Sequence, residues 1–234
     1  MPKREATDNG KIGNDKRPRF PQAAQLADIF KEMDSGMIVR DNTQFLAHMS
    51  KLTLFTRPTQ LGKSTFLALA ELVDSKGEKS PTNIAKNVPE DHRNAGYVIR
   101  FDFLKVFFPR TNRSWHEDLT SIDSKFLSYI KRSITRYLKK NKELKAYYID
   151  LESESELLAG DYLDRLSEAV KDYSEEQGTK EFFMILVDEY DQPLRDTLFE
   201  LLLDQPCKED VVKFCPNYVS FFSILQERWS DIRQ

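Results

Sequence analysis

Two short clusters carry residue types suited to phosphate chemistry. Gly62-Lys63-Ser64 stands between a β-rich run, Leu52 to Thr56, and an apolar helix-forming run, Thr65 to Val73. Holding a polyphosphate takes backbone N–H groups turned into a concave loop, a helix N-terminus behind them, and a cation that reaches the outer oxygens. Gly62 lets the backbone approach without a Cβ, Lys63 supplies the cation for the β and γ oxygens, and the Ser64 hydroxyl is a Mg²⁺ ligand. The standard phosphate-loop, or Walker A, pattern opens with a glycine at the position held here by Arg57, so the pattern is not met. Pro58 fixes φ where that glycine would be free, and the loop start must take a different path. A bare Gly-Lys-Ser usually marks an ordinary helix start. The strand before it and the helix after it favour the phosphate reading.

The second cluster, Val187-Asp188-Glu189, ends a continuous apolar run that begins at Phe182. Acids just past the C-terminal end of a parallel strand lie on the edge of the sheet where ligands bind. In that Walker B-like position Asp188 would hold Mg²⁺ through water. Glu189 would orient and deprotonate an attacking water. The plainer reading is that these acids cap a following helix with Pro193 in its first turn, and Asp191 is read that way.

The elements that must position these clusters follow from periodicity. Helical patterns run over Ala23 to Met33 and Thr43 to His48, with a short extended piece at Met37 to Val39 between them. The stretch from Ser75 to Asn94 is polar, holds Pro81 and Pro89, and reads as a surface connection. Tyr97 to Phe103 reads as a strand, Trp115 to Lys139 and Leu157 to Gln177 as helices, and Phe182 to Val187 as a strand covered on both faces. Arg195 to Leu203 and Asn217 to Arg233 look helical. Strands alternating with helices argue for an α/β fold with a parallel sheet flanked by helices.

The chain has 234 residues, of which 35 are Lys or Arg and 38 Asp or Glu, so a formal charge of -3 supplies no global field toward nucleic acid or an anionic membrane. Any such contact must be local. No apolar run approaches the roughly 18 residues of a membrane span, and the N-terminus has no signal-peptide pattern. Cys207 and Cys215 lack metal-ligand spacing with His48, His92 or His116, so neither a zinc site nor a disulfide framework is read. Residues 1–21 are polar and basic and are expected to be a disordered tail, with residues 22–234 forming one domain. Lys16-Arg17-Pro18-Arg19 resembles a weak nuclear-import signal, so an intracellular location, cytoplasmic or nuclear, is expected.

Three segments together resemble a known family. Phe55-Thr-Arg-Pro-Thr-Gln-Leu-Gly-Lys-Ser64, Tyr97-Val-Ile-Arg-Phe-Asp-Phe103 and Ile185-Leu-Val-Asp-Glu-Tyr-Asp-Gln-Pro-Leu194 are similar, in order, to the signature segments of the AAA-ATPase-like family. Met37 to Phe45 resembles the family's lead-in, and similar modules occur in Crinkler-type effectors. The resemblance implies a P-loop NTPase fold of the ASCE or AAA type. It implies ATP and Mg²⁺ as cofactors, with Lys63 and Glu189 catalytic and Ser64 and Asp188 at the metal. Nucleotide would lie against Arg57, Pro58, Thr59, Gln60, Leu61, Gly62, Lys63, Ser64 and Thr65. The family's basic pair is Thr59-Gln60 here, which removes positive charge beside the loop.

The family fold implies a further strand between the two cluster-bearing strands, and no β-rich run remains after Glu189 to supply it. Three readings follow: the chain is a fragment ending before that strand, its strand order differs, or a partner completes it, and the first is favoured. A homo-oligomer or a completing partner domain is expected, because a vacant position would leave two rows of unpaired backbone groups. Arg57, Arg195 and Arg228 are finger candidates by charge alone. Two further readings stand beside hydrolysis: a degenerate, non-hydrolysing interaction or effector module, and a nucleic-acid binder. For the last, Lys131 to Lys145 is the basic stretch, with Lys131, Arg132, Arg136, Lys139, Lys140, Lys142 and Lys145. Its few aromatics favour a solvated helix face, so nucleic acid is not expected as a partner.

Overall fold

A computed structural model describes residues 62–75, 96–106, 115–148, 157–179, 181–192, 212–213 and 215–230. Its centre is a pair of parallel strands, β1 (Gly96–Asp102) and β2 (Phe182–Asp188), in register from Gly96 opposite Phe182 to Asp102 opposite Asp188. Successive side chains along each strand turn to opposite faces. Val98 and Leu186 face helix α1 (Lys63–Asp74), where they pack with Ala70, Leu67 and Met184. Tyr97, Ile99 and Phe101 face the other way into the main core. Both faces of the pair are covered, which is why the strands read as near-continuous apolar runs.

The main core lies between the sheet and three helices, α2 (Trp115–Lys140), α3 (Ala159–Gln177) and α4 (Pro216–Ser230). Leu119, Ile122, Phe126, Ile130, Ile134 and Leu138 recur every three or four residues on α2, and all six are buried. Edge-on aromatic contacts join the layers: Phe101 meets Phe221 of α4 with centroids 5.2 Å apart, and Phe103 meets Phe126 of α2 at 5.0 Å.

Hydrogen bonds fix how the three helices meet. The buried Asp123 carboxylate on α2 accepts from the Asn217 N–H at 3.2 Å, the Asn217 amide at 2.7 Å and the Tyr218 N–H at 3.0 Å, so it caps α4 from outside. Asn217 Oδ1 in turn accepts from the Ala159 N–H that opens α3, at 3.0 Å. Desolvation raises the Asp123 carboxyl above the ordinary aspartate range, outweighing these hydrogen bonds, which act to lower it. At Gly160 the backbones of α3 and α4 approach closely: an added Cβ would lie 2.7 Å from the Ser220 carbonyl oxygen.

These elements agree with the periodicity, with small shifts of boundary. The first helix begins at Lys63 rather than Thr65, because Gly62 at φ 77° turns the chain directly into it. Phe103 belongs to a 3₁₀ turn, Phe103–Lys105, started by the Asp102 side chain, which accepts from the Leu104 N–H. The mixed helix and small parallel sheet fit the α/β class. The expected strand at Leu52 to Thr56, the lead-in helices and the helix at Arg195 to Leu203 lie outside the described residues, as does the strand position expected to be vacant beside it.

Candidate functional site

α1 brings the Gly-Lys-Ser cluster to one edge of the sheet by its length and direction. Its C-terminal neighbour Ser75 forms a parallel bridge with Gly96, the first residue of β1. From there the helix returns alongside the sheet, in contact with both strands. Twelve residues of helix rise about 18 Å. Seven residues of strand span about 23 Å. The start of α1, with Gly62, Lys63 and Ser64, is thus directed toward the end of the sheet where β1 and β2 finish in Asp102 and Asp188. The small buried side chain of Ala70, packed with Val98 and Leu186, lets the helix lie close to the sheet.

At that edge Asp188 is 3% exposed and is held by a cation from the neighbouring strand. Arg100 donates from a terminal guanidinium nitrogen to Asp188 Oδ2 at 2.7 Å, and both side chains are buried. Alternation along the strands explains the meeting: Arg100 follows Val98 by two and Asp188 follows Leu186 by two, so both turn toward the α1 face. Asp102, level with Asp188, is engaged locally. It accepts from the Leu104 N–H at 3.2 Å and pairs with Lys105 at 3.1 Å, while its own N–H donates to the Tyr129 hydroxyl at 2.8 Å.

Glu189 leaves the strand in the left-handed region at φ 52°, the one non-glycine residue to do so among the described residues. Such a backbone is strained for glutamate, and strain of this kind concentrates at functional sites. Its carbonyl accepts from the Gln192 N–H at 3.0 Å, closing a tight turn. The Tyr190 carbonyl accepts from the Tyr218 hydroxyl of α4 at 2.8 Å, which ties the turn to the helical layer.

Of the residues expected at the site, Gly62, Lys63, Ser64, Thr65, Asp188 and Glu189 are among the described residues, the first four at the start of α1 and the last two at the end of β2. Arg57, Pro58, Thr59, Gln60 and Leu61 lie outside the described residues, as does Arg195, while Arg228 falls within α4. Sequence reading missed Arg100. Its signal was a single cation inside an otherwise apolar strand, which burial does not tolerate without a partner. The oxygen donors Ser64 and Asp188 suit a hard divalent cation, and Asp188 commits Oδ2 to Arg100. Among the described residues no helix is long and apolar enough to cross a membrane.

Ligands of parallel α/β sheets bind outside the carboxyl ends of the strands, and here β2 ends in Asp188. The model of the AAA-ATPase-like family, described as a predicted AAA-ATPase, matches residues 28–232, and the chain belongs to that family. No curated protein matches the chain. No solved structure matches it either. Membership carries ATP-binding NTPase character at a coarse level.

Proposed function

We propose that this chain is a P-loop NTPase domain that binds Mg-ATP at the α1 edge and hydrolyses it to drive a conformational change. The observation that supports the reading is the return of α1 along the sheet from the Ser75–Gly96 bridge, with Leu67 and Ala70 packed against Val98 and Leu186 on the face toward which Asp188 turns. In this assignment the loop from Arg57 to Thr65 cradles the phosphates, Lys63 neutralises the outer oxygens, and Ser64 and Asp188 hold Mg²⁺. Bound Mg²⁺ would neutralise charge on the β and γ oxygens. Glu189 takes a proton from the attacking water as oxygen bonds to the γ-phosphorus. The bond to the β,γ-bridging oxygen breaks, releasing ADP and phosphate.

Arg100 is a positioning residue in this scheme. By holding Oδ2 it fixes one orientation of the Asp188 carboxylate and keeps a buried charge compensated. The alternative is a module that binds nucleotide weakly or not at all and acts through interactions, favoured by Thr59-Gln60 where the family has a basic pair.

Thermal unfolding with and without Mg-ATP, run beside Lys63→Ala, tests the assignment. Ligand at about 100 times its dissociation constant stabilises by about 2.7 kcal/mol. For a chain of this size that is a rise in Tm of about 5–10 °C. A shift in the wild type that Lys63→Ala abolishes supports the phosphate loop. No shift in either, with cooperative melting in both, selects the alternative. ADP release over time then separates hydrolysis from binding.

A further inference from the structure

The turn that carries Glu189 is tied to the helical layer by a side chain of α4. Glu189 leaves β2 at φ 52°, and its carbonyl accepts from the Gln192 N–H at 3.0 Å, so Tyr190 and Asp191 form the middle of a tight turn. The Tyr190 carbonyl takes no part in that closure. It accepts instead from the Tyr218 hydroxyl at 2.8 Å, across 28 residues of sequence. The backbone beside Glu189 is thus tied both within the turn and from the helices packed on the sheet.

The donor is held firmly. The Tyr218 ring lies 5.4 Å from Phe126 of α2 and 4.8 Å from Phe222, centroid to centroid. Its backbone N–H donates to the buried Asp123 carboxylate at 3.0 Å, and the neighbouring Asn217 ties the same helix start to α3. Burial, with smaller effects of Asp191, Tyr190 and Cys215 in the same direction, pushes the phenol above its ordinary value, so it keeps its proton and stays a donor at neutral pH. Tyr190 is 48% exposed, so water competes for its carbonyl. A hydroxyl already fixed by packing loses little entropy in making the bond, and it wins that competition. The left-handed backbone of a glutamate and one uncharged hydrogen bond are of the same order in free energy. The bond is therefore large enough to decide which conformation this residue keeps.

We propose that Tyr218 is a positioning residue for Glu189: its hydroxyl, acting through the Tyr190 carbonyl, keeps the left-handed backbone that sets the direction of the glutamate side chain. The role rests on the hydrolysis reading above. It makes the acidic pair alike in one respect, since Asp188 is fixed by Arg100 of β1 and Glu189 by Tyr218 of α4. It also joins the end of β2 to the place where α2, α3 and α4 meet.

The test is Tyr218→Phe in the full chain, which removes the hydroxyl and keeps the ring that packs on Phe126 and Phe222. Residue-resolved amide exchange reads the turn, and ADP release at varied Mg-ATP reads the reaction. The Gln192 N–H is expected to exchange about 5-fold faster in the variant, the equivalent of one ordinary hydrogen bond. The kcat is expected to fall by about 5-fold or more with KM unchanged, and the rise in Tm with Mg-ATP to equal that of wild type. Glu189→Gly takes the left-handed backbone without help, so in that background Tyr218→Phe is expected to leave Gln192 exchange as it was. Unchanged Gln192 exchange in Tyr218→Phe overturns the proposal. So does faster exchange with the kcat of wild type, which reduces the bond to a tie between β2 and α4. An equal acceleration in the Glu189→Gly background overturns it too, because the hydroxyl then acts elsewhere than on that backbone. A wild type that releases no ADP fails the hydrolysis reading itself, and the positioning role falls with it.

Discussion

Two residues at the acidic edge carry opposite lessons about charge and backbone. Arg100 and Asp188 are buried together, so removing one leaves the other uncompensated. Arg100→Met is expected to cost about 3–5 kcal/mol in urea unfolding. Adding Asp188→Leu should return most of that, because an apolar pair needs no desolvation of charge. A single variant as stable as wild type would show that the pair is not held in solution. Glu189 differs because its backbone, at φ 52°, is unfavourable for any side chain. Glu189→Gly is expected to stabilise the fold by about 1 kcal/mol by relieving that strain. If the proposed role of Glu189 is right, the same change abolishes ADP release. Lower stability in Glu189→Gly would mean that the glutamate contributes more through its contacts than its backbone costs.

Among the elements, the meeting of α3 and α4 has least room for change. Gly160 lets Ser220 and Ile224 close onto the start of α3, and the nearest backbone atom to an added Cβ is a carbonyl oxygen that cannot rotate away. Gly160→Ala is therefore expected to destabilise by about 1–3 kcal/mol by urea unfolding, even though alanine has the higher helix propensity. A stabilised Gly160→Ala would show that the two helices can separate at no cost. α1 depends on a different device, its left-handed Gly62, whose φ of 77° starts the helix at the edge of the sheet.

The whole molecule answers to pH through the joint where three helices meet. Asp123 binds its proton more readily in the folded chain than in the unfolded one, because desolvation outweighs its hydrogen bonds. Between the ordinary aspartate value of 3.8 and its raised folded value, the folded state binds more protons. Stability from this group is therefore full below 3.8 and falls as pH rises through the folded value. The stability of wild type relative to Asp123→Asn is expected to be greater near pH 4 than near pH 7, by urea titration at the two values. An equal difference at both would show that Asp123 titrates as an ordinary aspartate.

The amino-acid order alone determined the local elements and the two clusters. A run such as Phe182 to Val187 has the length and the aromatic and β-branched content of a strand, and Gly-Lys-Ser before an apolar helical run marks a helix start. The three signature segments likewise carried the family. Tertiary structure decided what long-range pairing decides: that Arg100 reaches Asp188 across 88 residues of sequence, and that Asp123 caps a helix beginning at Pro216. Periodicity states which face a side chain takes, but it does not name the residue on the neighbouring element. That choice is made by the register of β1 on β2 and by the packing of helices whose order in space no local pattern encodes.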